Sequence, residues 1–120
     1  MGKVYGLHTL QLHPGVKGED FERFVASNIS HWPPLPGWRF ALLKGDRGEK
    51  AGEYLALIEL ESIEARDRVA PAGPLEDTEE GRQWVTAVGP LMDHWGEYVE
   101  QLPGDTPFTD YHEVVGQLAR

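Results

Sequence analysis

The sequence predicts an α+β domain, in which a four-stranded antiparallel sheet carries its helices on one face. Hydrophobic residues alternate with period two in short segments and recur at helical spacing in the segments between them. These segments follow the order strand, helix, strand, strand, helix, strand. With 120 residues, the chain is expected to form a single domain, residues 1–120, around one hydrophobic core.

Four segments have the pattern of β-strands and are bounded by turn residues. They are Val4–Leu12, Trp38–Lys44, Glu53–Leu60 and Phe108–Val115. The glycine-rich segment Gly45–Gly52 predicts a hairpin connection between the second and third strands. The third strand is almost continuously apolar, which is typical of a strand that is covered on both faces.

The segments between the strands have the apolar spacing of helices. The first helix is predicted over Glu19–His31 and ends at a run of prolines. Ser62 is a predicted N-cap for the short helix Ile63–Val69. A long helix is expected over Thr78–Leu102, kinked or split at Gly89-Pro90. Strands and helices together give the ferredoxin-like split βαβ arrangement, with strand order 4-1-3-2.

The charge and cysteine content exclude several classes of function. The 11 basic and 20 acidic residues give a net charge of −9, with no basic run to hold phosphates. Nucleic acid and anionic membranes are therefore not expected as partners. The chain has no cysteine, which rules out disulfides and thiolate sites and fits a cytoplasmic protein. No apolar run is long enough for a membrane helix, and the strand pattern that starts at Val4 predicts no signal peptide.

The second face of the predicted sheet is also partly apolar. Leu7 and Thr9 on the first strand share this face with Ala41 and Leu43 on the second. A patch of this kind is typical of an association surface. The sequence therefore predicts a symmetric homodimer that packs sheet against sheet.

Two short segments resemble a known superfamily. The segment His8–Val16, HTLQLHPGV, resembles the opening of the stress-responsive A/B-barrel proteins, and Leu35–Trp38, LPGW, resembles the segment that leads into their second strand. The chain thus resembles the dimeric α/β-barrel superfamily, which includes antibiotic-biosynthesis-monooxygenase-like proteins. This resemblance implies a ferredoxin-like dimer whose cleft between sheet and helices holds a ligand.

His8 is the candidate catalytic residue. It lies in the middle of the first strand, with the small Gly6 on the same face, and a neutral imidazole is a suitable general base. The resemblance also places His8 where haem-degrading relatives carry a catalytic Asn, and His94 where they carry a haem ligand. Because Ala65–Val69 lacks the tryptophan of those enzymes, no cofactor is expected, and haem is kept as an alternative. The alternative for His8 itself is a core histidine with one hydrogen bond.

The remaining candidates are ligand-binding residues, for which a structural role is the alternative. Asn28 lies on an otherwise apolar helix face and either orients a ligand or bonds a nearby carbonyl. The aromatic candidates Trp32, Trp84 and Trp95 line either a ligand cleft or the core. Histidine spacing predicts no metal site, although the strand order allows His8 to meet His112.

Two functions remain open at this level. The first is a monooxygenase-like enzyme that acts on a hydrophobic organic ligand in the cleft between sheet and helices. The second is a non-catalytic module for small-molecule binding or self-association. The segment Pro71–Thr78 is irregular, and its pattern does not indicate where it packs.

Overall fold

The structure is a computed structural model that describes residues 2–100 and 108–116. The strands are β1 (Val4–Leu10), β2 (Trp38–Lys44), β3 (Tyr54–Leu60) and β4 (Phe108–His112). The helices are α1 (Gly18–Asn28), α2 (Ile63–Val69) and α3 (Glu79–Trp95), with 3₁₀ turns at Ile29–His31 and Leu75–Asp77. The predicted α+β ferredoxin-like fold is confirmed.

The four strands form one antiparallel sheet in the order β2-β3-β1-β4. This is the predicted order 4-1-3-2, read from the opposite edge. Strand β1 is central, and its His8 lies between Ala56 of β3 and Phe108 of β4. The register therefore decides which side chains surround His8.

The ends of several elements differ from the prediction. Strand β1 stops at Leu10, and Leu12 instead forms an isolated bridge with Val99. Strand β4 is shorter than predicted and ends at His112. Ser62 caps α2 as predicted, because its hydroxyl accepts a hydrogen bond from the Ala65 amide at 3.0 Å.

The long helix α3 is shorter than predicted and is not split. Thr78 is its N-cap, with a hydroxyl that accepts from the Gly81 amide at 3.1 Å. The helix then runs unbroken through Pro90 to Trp95, while Leu102 lies outside the described residues. Because Pro90 is exposed, water can replace the backbone hydrogen bond that the proline removes. Of the two predicted alternatives, a kink or a split, the structure excludes the split.

The core lies between the helices and one face of the sheet. Its buried members are Leu10, Phe21, Val25, Tyr54, Ala56, Trp95 and Val99. Phe21 of α1 is fully buried and meets the rings of Tyr54 and Trp95 edge-on, each at 5.4 Å between centroids. Burial of these rings fixes α1 and α3 against the sheet.

A short clasp joins the end of β1 to the end of α3. The His13 amide donates to the Tyr98 carbonyl at 2.9 Å, and the Glu100 amide donates to the Gln11 carbonyl at 2.8 Å. The His13 ring nitrogen Nε2 lies 2.9 Å from the Gly96 carbonyl oxygen. These contacts hold the end of α3 against the sheet, where Trp95 is buried.

The face of the sheet that points away from the helices will be called the open sheet face. Its apolar residues are Tyr5, Leu7, Ala41, Leu43, Leu55, Leu57 and Tyr111. Leu43 and Tyr111 are 39% and 55% exposed. At one end, Glu59 pairs with Lys3 at 2.8 Å and with Arg39 at 3.0 Å. Across residues 2–100 and 108–116, no helix combines the length and apolarity needed to cross a membrane.

Candidate functional site

His8 lies in the middle of β1 and points to the helix side of the sheet. It shares this face with the core residue Leu10, and its neighbour Ala56 on β3 has a small side chain. The His8 ring stacks on the Phe108 ring of β4, with centroids 5.0 Å apart and planes 13° apart. His8 is half-buried, and Phe108 is 55% exposed. The Phe108 ring therefore covers one side of the imidazole and presents its own exposed surface to solvent.

Two opposing effects act on the pKa of His8. Burial is the larger and lowers this pKa below its ordinary value of 6.5, while the nearby Asp110 carboxylate raises it in part. His8 is therefore neutral at pH 7. In this form one ring nitrogen accepts a hydrogen bond and the other donates one.

Gly6 provides the space that Asp110 occupies. The register places Gly6 directly opposite Asp110 on β4. A Cβ on Gly6 would lie 2.8 Å from Asp110 Oδ1 and 3.6 Å from His8 Nε2. Both atoms therefore border the position that a side chain at residue 6 would take.

Arg66 of α2 completes this group of side chains. Its guanidinium lies 3.4 Å from Asp110 Oδ2 and 3.0 Å from Asp67 Oδ1. The side chains of Arg66 and Asp110 are each about 30% exposed, so their ion pair lies at the rim rather than in the core. We call the set Gly6, His8, Arg66, Phe108 and Asp110 the His8 site.

A cavity opens beyond the ion pair. It measures about 380 Å³ and is lined by Gly2, Ile63 and residues 112–116. Ile63 lies one helical turn before Arg66, and His112 follows Asp110 by two residues on the same face of β4. The Arg66–Asp110 pair thus stands between His8 and the cavity.

Three members of the His8 site were not predicted from the sequence: Arg66, Phe108 and Asp110. The predicted strand order already placed β4 beside β1. Some registers of this pair put Phe108 or Asp110 next to His8, so the sequence contained a signal for these two residues. No sequence pattern indicated Arg66, because its position depends on how α2 packs at the edge of the sheet.

The three predicted tryptophans form a separate aromatic group. The Trp32 ring centroid lies 6.2 Å from those of both Trp84 and Trp95, and 4.6 Å from that of Phe40 on β2. Trp84 Nε1 donates to the Pro33 carbonyl at 2.7 Å. Trp95 Nε1 is buried and has no acceptor among the described residues.

The structure therefore divides the predicted residues between two places. His8 lies on β1 beside Phe108 of β4, whereas Trp32 packs on Phe40 of β2 and Trp95 lies in the core with Leu10. Strands β1 and β2 are two strand spacings apart, or roughly 10 Å. The ligand-binding role of the three tryptophans stays a prediction.

The other candidates have local partners. The Asn28 amide donates to the Phe24 carbonyl at 2.8 Å, one of the two alternatives given for it. His94 is 65% exposed at its side chain, and its Nδ1 lies 3.5 Å from a Glu97 carboxylate oxygen. An axial haem ligand needs a sheltered apolar pocket, so the surroundings of His94 do not fit haem.

The pairing of His8 with His112 that the strand order allowed does not occur. His112 lies opposite Val4, four residues along β1 from His8, or roughly 13 Å at the rise of a strand. Within the described ranges, no group of three His, Asp or Glu side chains is placed to hold a metal ion.

Comparisons with known proteins establish the fold. No protein-family model matches this chain, and no curated protein does so. A proposed antibiotic biosynthesis monooxygenase of Bordetella bronchiseptica superposes with a TM-score of 0.55 at 16% identity, over 96% of this chain and 100% of that one. A dabb family protein of Mesorhizobium loti with a ferredoxin-like fold gives 0.51 at 15%, over 98% and 100%.

A third solved structure has no assigned activity. It is a protein of unknown function from Nitrosomonas europaea, with a TM-score of 0.53 at 15% identity, over 100% of this chain and 97% of that one. At these identities the likeness shows a shared fold, in agreement with the superfamily that the sequence resembles.

Proposed function

We propose that the protein binds a hydrophobic organic ligand at the His8 site, and that His8 exchanges a proton with this ligand. The observation that carries the proposal is the half-buried imidazole of His8, whose ring stacks on the exposed Phe108 ring beside Asp110. Burial lowers the pKa of this imidazole below its ordinary 6.5, which favours the neutral form at pH 7. The fold shared with the Bordetella bronchiseptica protein supports a monooxygenase-like enzyme. No resident cofactor is part of the proposal.

The charges around His8 suit a general base. A neutral imidazole accepts a proton and becomes a cation, which the Asp110 carboxylate stabilises. The Arg66 guanidinium lies 3.4 Å from Asp110 Oδ2 and orients this carboxylate. In a monooxygenase reaction at this site, O₂ would oxidise the deprotonated ligand. A ring CH₂ would become C=O, and the second oxygen atom would leave as water.

Proton transfer can be tested without knowing the natural ligand. The bicyclic ketone 2-tetralone has exchangeable CH₂ protons next to its carbonyl, and their replacement by deuterium in D₂O is measured by NMR. We expect the protein to accelerate this exchange, His8→Asn to abolish the acceleration, and the exposed-residue control His31→Gln to retain it.

Two outcomes would overturn the enzyme proposal. One is an exchange rate no faster than in buffer, and the other is a rate that His8→Asn leaves unchanged. Either result, combined with binding of the related ring alcohol 2-naphthol, would instead favour the non-catalytic binding module.

We also propose that two copies associate through the open sheet face. Leu57 lies at the centre of this face, between Leu7 of β1 and Ala41 of β2. Burial of such an apolar surface contributes roughly 25 cal/mol per Å², so contact between two copies is favoured. The supporting observation is the apolar composition of a face that none of the described helices covers.

Native mass spectrometry tests this association. We expect a dimer for the natural sequence, a monomer for Leu57→Glu, and a dimer for Ala87→Glu, which places the same charge on the exposed side of α3. A natural protein that stays monomeric at tens of micromolar would overturn the proposal.

A further inference from the structure

We infer that Asp67 of α2 is a positioning residue for His8: it holds the Arg66 guanidinium, which in turn holds the Asp110 carboxylate beside the imidazole. This inference rests on the proposed function, because it concerns how strongly His8 takes up a proton from a ligand. It follows from three features of the structure: the fixed position of α2, the contacts that lead from it towards His8, and the alternating charges along these contacts.

Helix α2 is anchored to the rest of the fold on both sides of this pair of residues. The Trp38 indole Nε1 of β2 donates to the Ala65 carbonyl at 3.2 Å. At the other end of the helix, the Val69 side chain is fully buried. Arg66 and Asp67 lie between these two anchors, so their side chains start from a fixed backbone.

Arg66 joins two carboxylates at the edge of the sheet. Its Nε lies 3.0 Å from Asp67 Oδ1, and its Nη1 lies 3.4 Å from Asp110 Oδ2. Because the guanidinium is planar and rigid, the shorter contact at Nε limits how closely Nη1 can approach Asp110. The next charged residue, Arg68, takes no part in this arrangement, since it pairs with Glu80 of α3.

Asp110 carries the effect of these contacts to His8. A Cβ on Gly6 would lie 2.8 Å from Asp110 Oδ1 and 3.6 Å from His8 Nε2, so these two atoms are no further apart than the two distances added together. At this range the carboxylate charge acts on the imidazole through space. On the other side of His8, β3 places the uncharged Ala56.

The charges alternate in sign, so each substitution has a predictable direction. Asp110 is negative and raises the pKa of His8, and the positive Arg66 offsets part of that effect. Asp67 is negative and draws the guanidinium to itself, which keeps Arg66 from offsetting Asp110 fully. The other ionisable side chain on this face of β4, His112, is exposed, so solvent screens any charge it carries.

NMR titration of His8 in single variants tests the inference. Asp67→Asn frees the guanidinium to close on Asp110, so the pKa of His8 should fall below its natural value. Asp67→Glu keeps the charge and should retain the natural pKa. Arg66→Gln removes the cation, so the pKa of His8 should rise. The side chains of Arg66 and Asp67 are 29% and 43% exposed, so these changes leave the core intact.

The connection between β2 and β3 provides matched controls. Asp46→Asn and Arg47→Gln make the same changes in net charge on exposed residues of this connection. It lies two strands away from β1 and beyond the end of that strand, which is further than the screening length of about 8 Å at physiological salt. Both controls should leave the pKa of His8 at its natural value.

The exchange of 2-tetralone protons gives a second readout that separates this inference from the proposed function. The pH below which exchange is lost should move down in Asp67→Asn and up in Arg66→Gln. A His8 pKa that Asp67→Asn leaves unchanged or raises would overturn the inference, and exchange that depends on His8 would still support the proposed function. Absence of exchange, with the pKa of His8 moving in the expected directions, would instead overturn the proposed function and leave the coupling of α2 to His8 in place.

Discussion

Replacement of Gly6 by alanine would show whether the space beside His8 exists for Asp110. Gly6 is not among the glycines with positive φ, so the backbone accepts alanine without strain. The new Cβ would lie 2.8 Å from Asp110 Oδ1, too close for a normal contact, and 3.6 Å from His8 Nε2. The Asp110 carboxylate must therefore turn away.

The expected change in stability is small because two contributions oppose each other. Asp110 loses its ion pair with Arg66, and a pair this exposed contributes about 0.2–1 kcal/mol. Alanine restricts the unfolded chain and returns about 0.4–1 kcal/mol. We therefore expect the free energy of unfolding of Gly6→Ala to lie within about 0.5 kcal/mol of the natural value.

Gly18→Ala is the matched comparison. Its Cβ would lie 2.5 Å from the hydroxyl oxygen of Tyr54, which is only 5% exposed and cannot turn away. Overpacking of this kind costs about 1–3 kcal/mol. Urea unfolding of both variants should show a clear loss of stability for Gly18→Ala alone.

The second measurement is the NMR titration of His8. Because Asp110 raises the pKa of His8, its departure in Gly6→Ala should lower that pKa further. An unchanged His8 pKa, or a loss of stability as large as that of Gly18→Ala, would refute the reasoning.

Two further predictions concern buried polar groups. Trp84→Phe removes the indole N–H that donates to the Pro33 carbonyl, a bond worth about 0.5–1.5 kcal/mol, so urea unfolding should show a loss of this size. An unchanged stability would contradict this. The Tyr54 hydroxyl donates to the Glu22 carboxylate and lowers the pKa of Glu22 below 4.5. This hydrogen bond therefore stabilises the folded protein above pH 4.5, and the stabilisation is lost as the pH falls through the lowered pKa of Glu22. Tyr54→Phe should reduce this acid-induced loss of stability, and an unchanged profile of urea midpoint against pH would count against it.

The fold could be predicted from the sequence because local pattern and topology agree. Strand β2 has its predicted bounds, and α2 begins at its predicted Ser62 cap. The helix ends were less predictable, because the pattern of apolar residues continues past Trp95 into the clasp with β1. There the chain keeps its hydrophobic contacts after the helical hydrogen bonds stop.

Of the side chains in the candidate site, only His8 could be predicted from the sequence. His8 was recognisable because a polar side chain beside Gly6 on a core-facing strand needs a partner. The neighbour of Gly6 and His8, Asp110, is set by the register of β1 with β4. Because β4 is exposed along its whole length, its pattern specifies this register only weakly. Asn28 shows the opposite case, since its partner Phe24 is four residues away on the same helix.

The central place of β1 in the sheet has a consequence for the order in which the protein assembles during synthesis. The β2–β3 hairpin is local and can form early, but β1 waits for partners from β3 and then from β4. His8 and Phe108 are 100 positions apart, so the stacked pair closes only after β4 has been made. Until then the growing chain exposes an unpaired edge of β1 on the ribosome, where a chaperone or another nascent copy can pair with it.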